Sequence, residues 1–440
     1  MMRVFIVICM ALALAGCGLF GRGDGRQTPT VGNRTPIIAV EDEIVADPQI
    51  ASVPVVVPVP TTNASWAQSG GSASKSLGHL SLSASPARAW SVSIGNGGGS
   101  RARLAAAPVV ANGRVYTIDT DATVKAFDAQ SGGLLWSVQF GSEIGSRRAL
   151  FGGGVCISGD RLYVTNGVGY AGALNAADGS VIWKVRPGGP LRGAPTIAND
   201  NVYVLSQDNQ IFALDPANGE TRWNAAGTVE VSGVFGVAAP SSAQGTLIAG
   251  FSSGELIAYR YENGRIVWQD ALNRTSISTS VSSLSDIDAS PVVDGGYVYA
   301  IGQGGRMVAL QLTTGQRIWE INAGGLSTPW LAGDWMFVVT DEAKLLAVAR
   351  ANGRIRWITQ LPRYRDEEDR KGPIFWRGPV LAGGNLVLAS SQGQLAFVDA
   401  ATGTVQRMDE QAGDGFYLSP VVANNTLYLL DNGGRLSAWR

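Results

Sequence analysis

A stretch of 35 residues, recopied along the chain, limits the fold more than any other feature. Its clearest copy, Ala107 to Gly141, reads APVVANGRVYTIDTDATVKAFDAQSGGLLWSVQFG. Four runs rich in β-branched and aromatic residues, Pro108–Ala111, Arg114–Ile118, Thr123–Ala129 and Leu134–Phe140, are separated by Asn-Gly, Asp-rich and Ser-Gly-Gly punctuation. That is the signature of short strands joined by tight turns. Glycine followed four residues later by tryptophan recurs at Gly132/Trp136, Gly179/Trp183, Gly219/Trp223, Gly264/Trp268, Gly315/Trp319 and Gly353/Trp357, and a seventh copy carries Gly403 with Arg407 in the tryptophan place. The tryptophans are spaced 38 to 51 residues apart. Four strands per repeat of this length predict propeller blades, because one blade cannot bury both of its faces and must stack on neighbours around an axis.

The ends of the chain predict how the ring closes. The last copy starts at Ser419-Pro420, stops at Arg440 and lacks a fourth strand. Ahead of the first copy, Trp90-Ser91-Val92-Ser93-Ile94-Gly95 matches Trp136-Ser137-Val138-Gln139-Phe140-Gly141. The N-terminal strand therefore should complete the C-terminal blade. The expected fold is all-β, an eight-bladed β-propeller over residues 87–440 with four-stranded antiparallel blades. Closure of this kind removes exposed strand edges.

Residues 1–16 read as a lipoprotein signal peptide: Arg3, an apolar run Val4–Leu14 too short to span a bilayer, then Leu14-Ala15-Gly16-Cys17. Cys17 is the expected lipidation site, and several acyl chains would anchor the chain stably. Residues 17–86 are rich in Gly, Pro, Ser and Thr, with a run VPVVVPVP at Val53–Pro60. They read as a flexible linker, a leash of roughly 45 Å as a coil.

The remaining composition excludes much chemistry. The only histidine, His79, falls in that linker, so the propeller has none for Ser-His-Asp or Cys-His catalysis or His-based zinc sites. With Cys9 removed and Cys17 acylated, Cys156 is left alone, and it reads as a small buried hydrophobe. No catalytic group, metal site or cofactor is expected. The formal net charge of −1 shows no basic face for nucleic acid.

Trp90, Trp136, Trp183, Trp223, Trp268, Trp319 and Trp357 are expected to pack between adjacent blades, each indole N–H finding a neighbouring backbone acceptor. Strand order places the longer blade-to-blade crossovers on one rim, where binding is expected. Two of them stand out: Leu191-Arg192-Gly193, and Leu284-Ser285-Asp286-Ile287-Asp288. They offer charge beside apolar groups, as interfaces do, and the two aspartates can equally be read as turn formers. The run Arg363–Lys371 is the densest charge cluster, with Trp376 close enough to pin it.

The Ala/Ser-Pro-Val first strand and the Gly-x-x-x-Trp close resemble pyrroloquinoline-quinone-type propeller repeats. Together with Cys17, the closing N-terminal strand and the missing catalytic residues, they resemble the BamB family of the outer-membrane β-barrel assembly machinery. That resemblance implies a non-enzymatic scaffold, held at the outer membrane by its lipid, facing the periplasm. It implies binding to the POTRA region of the barrel-forming subunit through Leu191, Arg192, Asp286 and Asp288, and leaves open contact with unfolded outer-membrane proteins. Position 189, where the family has an apolar contact, is Gly here. The alternative is a quinone-dependent dehydrogenase built on the same repeats, but the adjacent cysteines such enzymes carry are missing.

Overall fold

The structure, a computed structural model, describes residues 44–440 apart from 100–101, 144–149, 192, 229–237, 273–285, 304 and 412. The signal segment and Cys17 lie outside the described residues. Eight four-stranded antiparallel sheets follow one another around an axis. Blade 1 is built from Val109–Ala111, Arg114–Ile118, Thr123–Asp128 and Leu134–Gln139, counted outward. Blade 8 takes Val421–Ala423, Thr426–Leu430 and Arg435–Trp439 from the C-terminus and Arg88–Ser93 from the N-terminal side, paired antiparallel with Trp90 opposite Ala438.

The Gly-x-x-x-Trp motif works between blades, not within one. Each motif glycine has φ between 68° and 79°, the left-handed region that favours Gly. A Cβ there would strike the preceding blade's indole: 2.7 Å from Trp136 at Gly179, 2.5 Å from Trp223 at Gly264, 2.7 Å from Trp357 at Gly403. The carbonyl three residues before the glycine receives the indole N–H, as in Trp136 to Ala176 (3.1 Å), Trp223 to Tyr261 (2.8 Å) and Trp268 to Leu312 (2.7 Å). Trp357 is the exception, its Nε1 buried without a partner.

Room for the indole comes from a small residue across the ladder. Ala126, Ala173, Ala213, Ala258, Ala309 and Ala347 stand opposite the tryptophans of blades 1 to 6, and a bulge follows each. Blade 7 swaps both partners: Phe397 stands opposite Arg407, with the guanidinium 4.0 Å from the ring centroid. The loss of tryptophan is thus compensated by a cation–π contact.

The segment expected to be a flexible linker differs from that reading over residues 44–86. It lies on the propeller, and residues 63–80 run once around the central hole, bonding an innermost strand or its turn in every blade, in ring order. Asn63 bonds Val422 and Asn424 of blade 8, and Trp66 exchanges two backbone bonds with Val110 of blade 1. Ala67 accepts from Ile157 of blade 2. The Gln68 amide pairs with the backbone of Ile197 in blade 3, like a short piece of strand. Ala73 and Ser74 accept from Ser242 and Val293 of blades 4 and 5. Gly78 accepts from the Trp330 indole of blade 6 at 2.7 Å, and Leu80 pairs with blade 7 at Leu381 and Gly383. Trp66 and Leu80 are 3% and 1% exposed. The physical reason is that the inner strands, only three or four residues long in every blade but the seventh, leave backbone groups facing the axis that need partners. A chain of Ser, Gly and Ala can approach them closely enough to supply them.

His79 is part of this strap. Gly384 N–H donates to its Nε2 at 2.8 Å, so Nδ1 carries the proton and donates to Pro58 O at 2.6 Å.

Candidate functional site: the crossover rim and the axial cavity

The strap bonds next to the first-to-second-strand turns, so it covers the rim opposite the crossovers. The crossover rim is left as the face with varied loops. Its most prominent element is a β-hairpin between blades 6 and 7, Tyr364–Asp366 paired with Lys371–Pro373. This is the charged run singled out in the sequence, and residues 365–371 are all exposed. The tip holds itself: Glu367 accepts from the N–H groups of Arg363 (2.7 Å) and Tyr364 (3.0 Å), and those bonds hold its carboxyl below the usual range. Trp376, 5% exposed, donates its indole N–H to Pro362 O at 2.9 Å and pins the hairpin's base to blade 7. A pinned base under a charged, solvated tip is a rigid projection suited to a partner.

The two loops chosen from the sequence are placed differently from the expectation of exposed anchors. Leu191 is 1% exposed and packs with Trp183, Phe212 and Cys156 in the seam between blades 2 and 3. Asp286 and Asp288 are 1% and 6% exposed, and Ile287 between them is fully buried against blades 4 and 5. The loops turn inward because the apolar residue in each is taken by an inter-blade seam, which draws its neighbours with it. Arg192, Leu284 and Ser285 lie outside the described residues. Leu191, Asp286 and Asp288 therefore shape the rim from beneath.

On the axis above the strap lies a cavity of about 90 Å³. Ser69, Gly70 and Lys75 of the strap line it, together with Asp288, Arg377 and Tyr417. Arg377 donates from Nη1 to Leu326 O at 3.2 Å, and its Nε is buried without a partner. Burial pushes its pKa down, against the pull of Asp288 and Asp341. Lys75 is 1% exposed, and burial pushes its ammonium down to about 7. Its unfolded-state pKa is near 10.5, so between about 7 and 10.5 the unfolded chain holds the extra proton. Stability contributed by this group therefore rises with pH across that window, and the cost of burying the charge is in full force below it. Melting temperatures between pH 6.5 and 9.5 should rise relative to those of Lys75→Met, which lacks the titrating group. Parallel profiles would contradict this placement.

The sequence pointed to Trp376 and the hairpin but missed the strap residues Trp66, Lys75 and Leu80. The signals were present: Trp66 is an isolated indole in a polar stretch, and Lys75 is the only Lys, Arg, Asp or Glu between Asp47 and Arg88. Among the described residues, no group of three or more His, Cys, Asp or Glu could hold a metal ion.

Comparison with known proteins places this ring. The family described as "Outer membrane protein assembly factor BamB" matches residues 120–359. The assembly factor BamB of Yersinia pestis is 27% identical over 362 residues, covering 81% of this chain and 89% of that protein. That of Escherichia coli K12 is 29% identical over 353 residues, covering 79% and 87%. Among solved structures, BamB from Moraxella catarrhalis superposes with a TM-score of 0.67 at 20% identity, covering 81% of this chain and 99% of that one. A europium-containing methanol dehydrogenase superposes equally well, TM-score 0.68 at 14% identity, covering 83% and 89%. Both structures share the fold, and fold alone does not separate scaffold from enzyme.

Proposed function

The chain belongs to the family of the outer membrane protein assembly factor BamB, and from that premise we propose that it is a lipid-anchored, non-catalytic scaffold of outer-membrane β-barrel assembly that docks the POTRA region of the barrel-forming subunit on its crossover rim. The observation that carries this reading is the family match over 120–359, which spans six blade-closing tryptophans, from Trp136 to Trp357. The varied loops and charged hairpin of the crossover rim support this choice of docking surface. The hairpin Tyr364–Pro373 offers a charged projection, and Arg192, named from the sequence, belongs to the crossover between blades 2 and 3. Leu191, Asp286 and Asp288 act as positioning residues whose burial fixes the loops. Cys17 carries the lipid that holds the complex at the outer membrane, facing the periplasm.

Charge reversal at the exposed tip tests the surface. Arg365→Glu with Arg370→Glu, and separately Arg192→Glu, should reduce co-purification of the barrel-forming subunit from detergent-solubilised envelopes at least tenfold. The melting temperature should stay within a degree, because exposed charges contribute little to stability. Undiminished recovery with both variants would remove the rim from the interface. For the dehydrogenase alternative, adding the quinone and calcium to the purified protein should give no dye-linked alcohol oxidation.

A further inference from the structure

The strap that floors the axial cavity brings in a buried cation without a counter-ion. Lys75 Nζ donates to Thr196 Oγ1 at 3.3 Å, a long contact to a hydroxyl that itself donates to Pro240 O at 2.7 Å. An ammonium has three donors, so two are left over. Among the described residues no carboxylate is within ion-pair distance of Nζ. The titratable group it interacts with is Cys156, fully buried, its thiol pushed up to about 12 and therefore neutral. An unpaired buried ammonium either loses its proton or takes an anion. Among the described residues, the other charged groups on the cavity wall are Arg377 and Asp288. Asp288 has interactions of its own, whereas Arg377 keeps Nε without a partner. Among the described residues the cavity wall thus carries one lysine, one arginine and one carboxylate.

The lysine is held in place and not merely trapped. Gly70 has φ 71°, and a Cβ on it would come within 2.6 Å of Lys75 Cδ, so the strap closes tightly over the aliphatic stem. Backbone bonds from Ser242 and Val293 to Ala73 and Ser74 fix the main chain just ahead of Lys75 to blades 4 and 5.

We propose that the axial cavity is a binding site for a small oxyanion, a carboxylate or phosphate group, with the Lys75 ammonium as its principal ligand. A volume of about 90 Å³ admits a group of that size. Asp288 on the same wall favours a single negative charge over two. The bound anion would stabilise the protonated lysine, so binding above neutral pH draws a proton from solvent. The site is separate from partner docking on the rim, and either reading can fail while the other stands.

Calorimetric titration of the full-length protein with sodium acetate, and separately with sodium phosphate, at constant ionic strength made up with chloride, tests the site. At least one anion should bind, with uptake approaching one proton at pH 8 when two buffers of different ionisation enthalpy are compared. Affinity should fall about tenfold per pH unit above pH 8, where the free lysine is deprotonated. Acetate binding alone marks a carboxylate site, and phosphate binding alone a phosphate site. Lys75→Met should abolish proton uptake and weaken binding at least tenfold. Absence of binding by both anions overturns the proposal, and so does binding without pH dependence in the unmodified chain, a readout that needs no variant.

Discussion

Trp66→Ala should destabilise the propeller by about 3–5 kcal/mol, the usual cost of removing a large buried aromatic. The residue lies outside every blade, so a chain whose stability came from the ring alone would not register its loss. In the structure its indole stacks on Trp330 at 6.1 Å with 16° between planes, and its backbone exchanges two hydrogen bonds with Val110. Truncation leaves a void where the indole meets Trp330 of blade 6. The effect should exceed that of removing one strap hydrogen bond, for which about 1 kcal/mol is expected. Scanning calorimetry of the two proteins side by side measures it. Identical melting would mean that the strap is not packed on the ring in solution.

The second large effect is expected at the seams. Gly264→Ala places a Cβ in the left-handed region and 2.5 Å from Trp223 Cε3, so it should cost about 2–5 kcal/mol from backbone strain and overpacking together. Trp223→Ala empties the same seam from the other side. It also leaves the Tyr261 carbonyl without its indole donor, for about 3–5 kcal/mol. The pair gives a sharper test than either alone. Once the indole is gone, the added methyl has room, and the double variant should be less destabilised than the two costs summed. Strict additivity would mean that the two residues do not touch.

These expectations differ in how they could be reached. That Trp223 packs on a neighbouring blade follows from the repeat: a residue recurring every 38 to 51 positions at a strand close cannot be a local accident. Its partner glycine was visible as a turn residue. Its second duty, leaving space for the preceding blade's indole, appeared only when successive copies were stacked. The Arg407–Phe397 exchange shows the same limit. The sequence displays a missing tryptophan, and the ladder shows that the residue opposite has grown to meet it.

The strap was misread for a physical reason. Composition reports whether a segment can build a core of its own, and Gly, Ser and Pro over residues 44–86 cannot. It does not report whether a finished ring offers that segment unpaired backbone groups to satisfy. The rim loops were misread in the opposite sense. Charged residues beside an apolar one suggested exposure, but Leu191 and Ile287 are drawn into seams and take Asp286 and Asp288 inward.

What the sequence determined by itself was the repeating unit, its four strands, the number of blades and the joining of the two ends, because each rests on periodicity and local turn chemistry. The family resemblance likewise followed from those motifs. Folding alone settled which backbone groups remained unpaired once the ring had closed, and hence the course of the strap, the burial of Lys75 and the inward turn of the rim aspartates. Those depend on contacts between residues hundreds of positions apart, such as Asn63 with Val422, whose meeting no local pattern encodes.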